Sequence, residues 1–235
     1  TIEAGRPDTI NLEKLKIIKA HGCERISINP QSMKPETLVT IGRSHTPLEI
    51  EKAFELAHSL DFNSINADLI AGLPGEELSD FDASLEKIIG LGADNITIHS
   101  LAVKRASRLK DEDPVFHYKQ SNITNSMTAK GFETLCNRGF EPYYLYRQKH
   151  MAGAGENMGY CKAEKAGLYN IRIMDEHQSI LALGAGAISK RFYPEENRLE
   201  RIPNVSNVGH YINRLDEMIE RKDKMFFNQK GDDIC

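Results

Sequence analysis

Asp68 is the residue around which the chemistry of this chain is arranged. It lies in Ser64-Ile-Asn-Ala-Asp-Leu-Ile-Ala71, where Ile65, Ala67, Leu69 and Ala71 alternate with Asn66, Asp68 and Ile70, the period of a strand. The run ends in Gly72-Leu-Pro-Gly75, through which no strand continues. A carboxylate in an otherwise apolar strand needs donors or a polar cavity, so this strand borders a site or a polar network; backbone N–H groups alone would be the plainer way to hold it. Glu3, Asn29, Gln31 and the stretch His99 to Ala102 fall on or at the ends of other strand-like runs, and Arg43 falls on a loop in Ile-Gly-Arg-Ser-His45. Glu, Gln, Asp and Arg gathered on one rim suit a ligand that offers ribose hydroxyls, an amine and a carboxylate, the last through paired guanidinium donors.

Gathering them requires a repeating architecture, and the sequence supplies one. Thr1 to Ala4 is a short strand closed by Gly5-Arg-Pro7, and Asn11 caps a helix that stops at Gly22 with Leu12, Leu15, Ile18 and, less strictly, Ile17 on one face. Arg25 to Pro30 alternates again as a strand ending in Gln31-Ser32, and a short helical piece runs from Lys34 to Ile41. Thr46-Pro-Leu-Glu49 is a capping box with Pro at the first helical position; it opens a helix over 48–60 with Ile50, Ala53, Phe54, Ala57 and Leu60 on one face. After the Asp68 strand comes a helix over 79–91, with Phe81, Leu85, Ile88 and Ile89, and then a strand over 95–101. Strands alternating with helices of this length predict a parallel sheet with right-handed crossovers. Its functional groups gather at the carboxyl ends of the strands.

Beyond Ala102 the pattern changes. Lys104 to Asp113 is a charged connector ended by Pro114, and 117–139 reads as a helix with Met127, Phe132, Leu135 and Cys136 inward. Tyr143-Tyr-Leu-Tyr-Arg147 is strand-like, its tyrosines lining a pocket or packing as half-exposed core. Met151 to Gly159 reads as a loop, and Leu168 to Met174 pairs with Ser179 to Leu183 as a hairpin. Gly184-Ala-Gly-Ala-Ile-Ser189 is either a close approach of backbone to a ligand or a plain tight turn. Val208 to Arg221 is an amphipathic helix with Ile212, Leu215 and Ile219 inward, followed by a polar, frayed end from Lys222. The expected division is therefore residues 1–103 and residues 104–235.

Composition bounds the function classes. With 235 residues, 40% hydrophobic and 27% charged, and a net charge of −4, the chain reads as an ordinary globular protein. Its 30 Lys and Arg are scattered among 34 Asp and Glu, which argues against a nucleic-acid partner. No apolar run approaches the ~20 residues of a membrane span, and no signal-peptide pattern opens the chain. It starts at Thr1 in what reads as mid-strand, so an upstream segment is expected. Cys23, Cys136, Cys161 and Cys235 are 113, 25 and 74 residues apart, which fits reduced thiols of a cytoplasmic protein and no metal site of this chain's own.

Taken together, Arg25-Ile-Ser-Ile-Asn-Pro-Gln-Ser32, Ile41-Gly-Arg-Ser-His45, Asn66-Ala-Asp-Leu-Ile-Ala-Gly-Leu-Pro-Gly75 and Leu183-Gly-Ala-Gly-Ala-Ile-Ser189 resemble the radical S-adenosylmethionine (SAM) enzymes of the oxygen-independent coproporphyrinogen III oxidase family. The nearest likeness is to the coproporphyrinogen dehydrogenase branch, which shares the Glu-Ala-Gly-Arg-Pro-Asp opening and the segment from Tyr144 to Gln148. The resemblance implies a partial barrel of six strand-helix units, of which this chain holds the last four, followed by an α+β region. It also implies that the Cys-x-x-x-Cys-x-x-Cys loop for the [4Fe–4S] cluster belongs to the absent units. Position by position, the family's SAM contacts fall on Glu3, Gln31, Arg43, Asp68, Ala102 and Ile188. The implied reaction is oxidative decarboxylation of two propionates of coproporphyrinogen III to vinyl groups in haem biosynthesis. It needs a porphyrinogen substrate and an external electron donor, and this chain would not perform it alone. Two alternatives share the scaffold: a haem chaperone, with His99, His150 and His210 as candidate axial ligands, and an anaerobic haem-modifying radical methyltransferase. An unrelated phosphate-binding α/β domain lacks support, since neither Gly72 to Gly75 nor Gly184 to Gly186 has a Walker or dinucleotide fingerprint.

Overall fold

Period-two apolar positions build a sheet here, and helical spacing builds the layer that covers it. The computed structural model describes residues 1–103, 109, 111, 113, 115–147, 151–153 and 156–227. Four strands, β1 (Ile2–Gly5), β2 (Arg25–Gln31), β3 (Ser64–Ala71) and β4 (Asn95–Ser100), pair in parallel. Between them run α1 (Leu12–Ala20), α2 (Pro35–Thr40), α3 (Pro47–Ser59) and α4 (Leu78–Gly90). Next come α5 (Phe116–Lys119), α6 (Ser121–Asn137), β5 (Glu141–Tyr146) and β6 (Asn157–Cys161). The finished sheet has the order β1-β2-β3-β4-β6-β5, with β6 antiparallel to both neighbours.

One face of this sheet is apolar. Ile26, Ile28, Ile65, Ala67, Leu69, Ala71, Ile96 and Ile98 are buried with Leu15, Phe54, Phe81, Leu85, Ile88 and Leu135. The other face carries Ser27, Asn29, Asn66, Asp68, Thr97 and His99 at the alternate positions, so the strand pleat alone separates core from candidate site. Helix ends are set locally. Asn11 Oδ1 accepts from Lys14 N at 2.8 Å, and Thr46 and Glu49 close a reciprocal capping box on α3. Thr46→Ala is expected to cost about 1 kcal/mol, read as a fall of roughly 2–4 °C in Tm.

The chain divides into two compact units, Thr1–Gly167 and the part from Leu168 onward. This boundary differs from the division read at residue 103, because β5 and β6 extend the sheet begun by the parallel strands. Hence 157–159, read as the end of a loop, belong to a strand, Asn157–Cys161. In the second unit, Leu168–Asp175 is a helix, α7, and not half of a hairpin. None of its residues is buried, so no core face imposed a period of two on the run. The hairpin is instead formed by β7 (Ile188–Tyr193) and β8 (Arg198–Pro203), its turn closed by Asn197 at φ 47°, a conformation Asn tolerates.

The expected helix over 208–221 is two helices, α8 (Val208–Asn213) and α9 (Leu215–Phe226). Ile212, Leu215 and Ile219 are 65%, 44% and 51% exposed, which corrects their inward assignment. The break at Arg214 turns the face of α9, so that Met218 and Lys222, four apart, are the buried pair. On α6, Phe132 and Cys136 are likewise exposed, while Thr124, Met127, Gly131 and Leu135 face in. Most of the Lys104 to Asp113 connector, His150 and the end from residue 228 lie outside the described residues. Among the described residues no helix is long and apolar enough to cross a membrane.

Candidate functional site

The polar face of the sheet is a connected row. Register aligns Glu3 with Ser27, Ser27 with Asn66, Asp68 with Thr97, and Ile70 with His99. Asn29 Nδ2 donates to Glu3 Oε2 at 2.9 Å. Asn66 Nδ2 donates to Ser27 Oγ at 2.6 Å and to Asp68 Oδ1 at 2.9 Å. His99 Nε2 lies 3.7 Å from Asp68 Oδ2, and Tyr146 OH meets His99 Nδ1 at 3.1 Å. The structure thus brings Glu3, Asn29, Asp68 and His99 onto one face. Because the Glu3 carboxylate only accepts, it fixes the Asn29 amide and leaves Asn29 Oδ1 buried with no partner among the described residues. An orphaned acceptor of this kind calls for a donor from beyond the described residues, and a ribose hydroxyl or an ammonium group has that chemistry.

Gln31 closes β2 with φ 70°, the left-handed region that glycine prefers. It is 8% exposed, and the β2–β3 register shifts between Ile28 and Gln31. A buried, non-glycine residue held there marks a position where geometry outweighs local strain. Gln31→Gly is expected to change stability by less than about 1 kcal/mol while weakening a ligand held by the side chain. A denaturant midpoint measured beside a binding titration separates the two effects.

Arg43 lies on the loop between α2 and α3, half-buried, with no hydrogen bond or ion pair of its side chain among the described residues. Burial, and after it the charge of Arg6, draws its guanidinium below the ordinary value. The loop is latched to the turn after β1. Arg6 Nη2 donates to Asp8 Oδ2 at 2.8 Å and contacts Ser44 Oγ, and Ser44 Oγ donates to Asp8 Oδ2 at 2.9 Å. The hydrogen bond from Arg6 holds the Asp8 carboxyl down to about 2. Asp8 therefore balances the charge of Arg6 and leaves Arg43, among the described residues of this loop, as a cation available to an anion.

A buried acid ties two of the rim loops together. Glu76, 7% exposed, follows Gly75 and accepts from Ser32 Oγ, next to Gln31, and from Thr37 of α2. Burial pushes its carboxyl above the ordinary value, against the pull of those two bonds. Its folded value exceeds the unfolded one. The stability it contributes is therefore complete below the ordinary range near about 4.3 and is lost as pH rises through the raised value. Glu76→Gln is expected to flatten that part of the curve of Tm against pH.

Ala102 is half-buried just past β4 and forms an isolated bridge with Met151. Ile188 opens β7 in the second unit and is 48% exposed. Cys23, Cys136 and Cys161 are free, and among the described residues no three His, Cys, Asp or Glu gather as a metal site. Among the described residues the thiols therefore do not gather to fit a cluster, whereas the carboxylates of Glu3 and Asp68 and the guanidinium of Arg43 have the donor and acceptor chemistry that hydroxyls, an ammonium and a carboxylate take. Sequence reasoning left Tyr144 and Tyr146 open between pocket and packing. Their hydroxyls reach Thr97 Oγ1 at 2.9 Å and His99 Nδ1 at 3.1 Å, on the face of Asp68. Gly159 leaves room for this: a Cβ there would lie 1.8 Å from Tyr144 Cε1.

With a parallel strand-helix series that carries acids and amides on its polar face now described, residues 2–88 match the radical SAM superfamily. The chain carries a radical SAM domain over those residues and is a homologue of an oxygen-independent coproporphyrinogen-III oxidase-like protein. It is 38% identical over 224 residues to the oxygen-independent coproporphyrinogen-III oxidase-like protein HemZ of Bacillus subtilis, covering 95% of this chain and 45% of that protein. It is 26% identical over 230 residues to the haem chaperone HemW of Escherichia coli, covering 96% of this chain and 56% of that one. In fold it matches the coproporphyrinogen III oxidase HemN of Escherichia coli with a TM-score of 0.63 at 16% identity, over 90% of this chain and 48% of that structure. The chain spans about half the length of these relatives.

Proposed function

We propose that this chain is the SAM-holding part of a cytoplasmic radical SAM enzyme that oxidatively decarboxylates propionates of a coproporphyrinogen-type tetrapyrrole. The observation that carries the reading is the polar row, with Glu3, Asn29 and Asp68 on one sheet face and an acceptor, Asn29 Oδ1, left without a partner among the described residues. In this reading Arg43 takes the methionyl carboxylate through its planar fork of donors. Glu3, Gln31 and Asp68 take the ribose hydroxyls and the ammonium, and Ala102 borders the adenosyl group. When bound beside a reduced cluster, SAM supplies a hydrogen-abstracting radical. The protein's share is to hold that source against the propionate and keep water and other hydrogen donors away. The cluster ligands, the electron donor and the acceptor for the electron released with carbon dioxide come from outside this chain.

The test joins this chain to a Cys-x-x-x-Cys-x-x-Cys segment of the family type, reconstitutes it without oxygen and supplies coproporphyrinogen III. Release of 5′-deoxyadenosine together with carbon dioxide supports the reading; release of neither overturns it. The likeness to a haem chaperone supports a second reading. Tight stoichiometric haemin binding in a Soret titration, with no vinyl product, would favour that one.

A further inference from the structure

We infer that Tyr144, Tyr146 and His99 form the seat for a propionate-bearing pyrrole ring of the substrate beside Asp68. The inference rests on the tetrapyrrole reading above and assigns residues that the SAM contacts leave unused. Tyr144 and Tyr146 belong to β5, at the far edge of the sheet, yet their rings reach across β6 to β4. Gly159 of β6 makes this possible, since any side chain there would occupy the place of the Tyr144 ring. The two tyrosine rings lie parallel within 3°, with centroids 6.4 Å apart. The His99 ring meets Tyr146 edge-on at 6.2 Å. Together they form an aromatic wall along the polar face, suited to a flat pyrrole.

The polar ends of this wall suit an acid arm. Burial drives both tyrosine hydroxyls above their ordinary value, for Tyr146 with help from the Asp68 charge, so they stay neutral donors. When Tyr146 donates to Nδ1 of His99, the imidazole carries its proton on Nε2. That nitrogen makes no hydrogen bond among the described residues, and 3.7 Å separates it from Asp68. A proton donor 3.7 Å from a carboxylate, with one quarter of its side chain exposed, is placed to hold a second carboxylate. Asn66 already offsets part of the Asp68 charge through its bond at 2.9 Å.

The test titrates coproporphyrin III and its tetramethyl ester into the chain by fluorescence, and S-adenosylhomocysteine by calorimetry, for the wild type, Tyr146→Phe and His99→Gln. Both variants are expected to weaken coproporphyrin III by about tenfold and to leave the ester within about twofold. S-adenosylhomocysteine should stay within about twofold in Tyr146→Phe. Equal losses for acid and ester, or no loss for either, would overturn the seat while leaving the tetrapyrrole reading in place. A wild-type chain that binds S-adenosylhomocysteine but not coproporphyrin III would overturn both.

Discussion

Replacing Arg43 with Ala is expected to weaken binding of S-adenosylhomocysteine by about 2–3 kcal/mol, roughly 30- to 150-fold, and to leave 5′-methylthioadenosine within about threefold. The two ligands share adenosine and a thioether and differ in the amino-acid end, so the ratio isolates the carboxylate. The guanidinium makes no hydrogen bond or ion pair among the described residues, and burial already lowers its affinity for its proton. An anion arriving there meets a cation with little else to satisfy it, which strengthens the pair. Arg43→Lys should fall between, keeping charge but losing the planar fork. Asp8→Asn should follow Arg43→Ala in kind at smaller size, because an unbalanced Arg6 repels Arg43. Equal losses for both ligands in Arg43→Ala would remove Arg43 from the carboxylate.

Gly72→Ala is expected to be the most destabilising small change near the site, at about 2–4 kcal/mol, lowering Tm by roughly 5–15 °C. Gly72 turns the chain directly after the Asp68 strand with φ +88°, and a Cβ would meet Thr124 Oγ1 at 2.1 Å. Thr124 is fully buried on α6, and Gly72 N donates to Met127 Sδ, one turn further along the same helix, at 3.2 Å. Helix and turn therefore have no slack. Adding Thr124→Ala should recover the steric part and leave the backbone part, so a double mutant as unstable as Gly72→Ala would contradict the contact. Thermal melts of the four combinations decide it.

The contrast between these two positions shows what the sequence made legible. Asp68 and Gly72 were readable because β3 is buried on one side only: alternation reveals the faces, and Gly-Leu-Pro-Gly ends the strand. Capping at Asn11 and Thr46 is equally local. β6 was not readable, because Gly159 serves a ring on another strand, and a glycine in a short run looks like loop. The left-handed Gln31 gives no local sign, since its conformation comes from the bulge and the loop bond between Ser32 and Glu76. The run from Leu168 could be strand or helix by composition, and without a buried face only the tertiary context decides. Of the expected ligand contacts, Glu3, Gln31, Arg43 and Asp68 follow from strand ends and a loop. Ile188 came through family likeness alone.

Titrating S-adenosylhomocysteine into the isotope-labelled chain and following its backbone amides by NMR probes the ligand site residue by residue. Saturable shifts concentrated at Glu3, Asn29, Gln31, Arg43, Asp68 and Ala102, and absent from Arg43→Ala, are the expected result. Shifts confined to the helix-covered face, or none at saturating ligand, would contradict the assignment of this polar face to an adenosyl sulfonium.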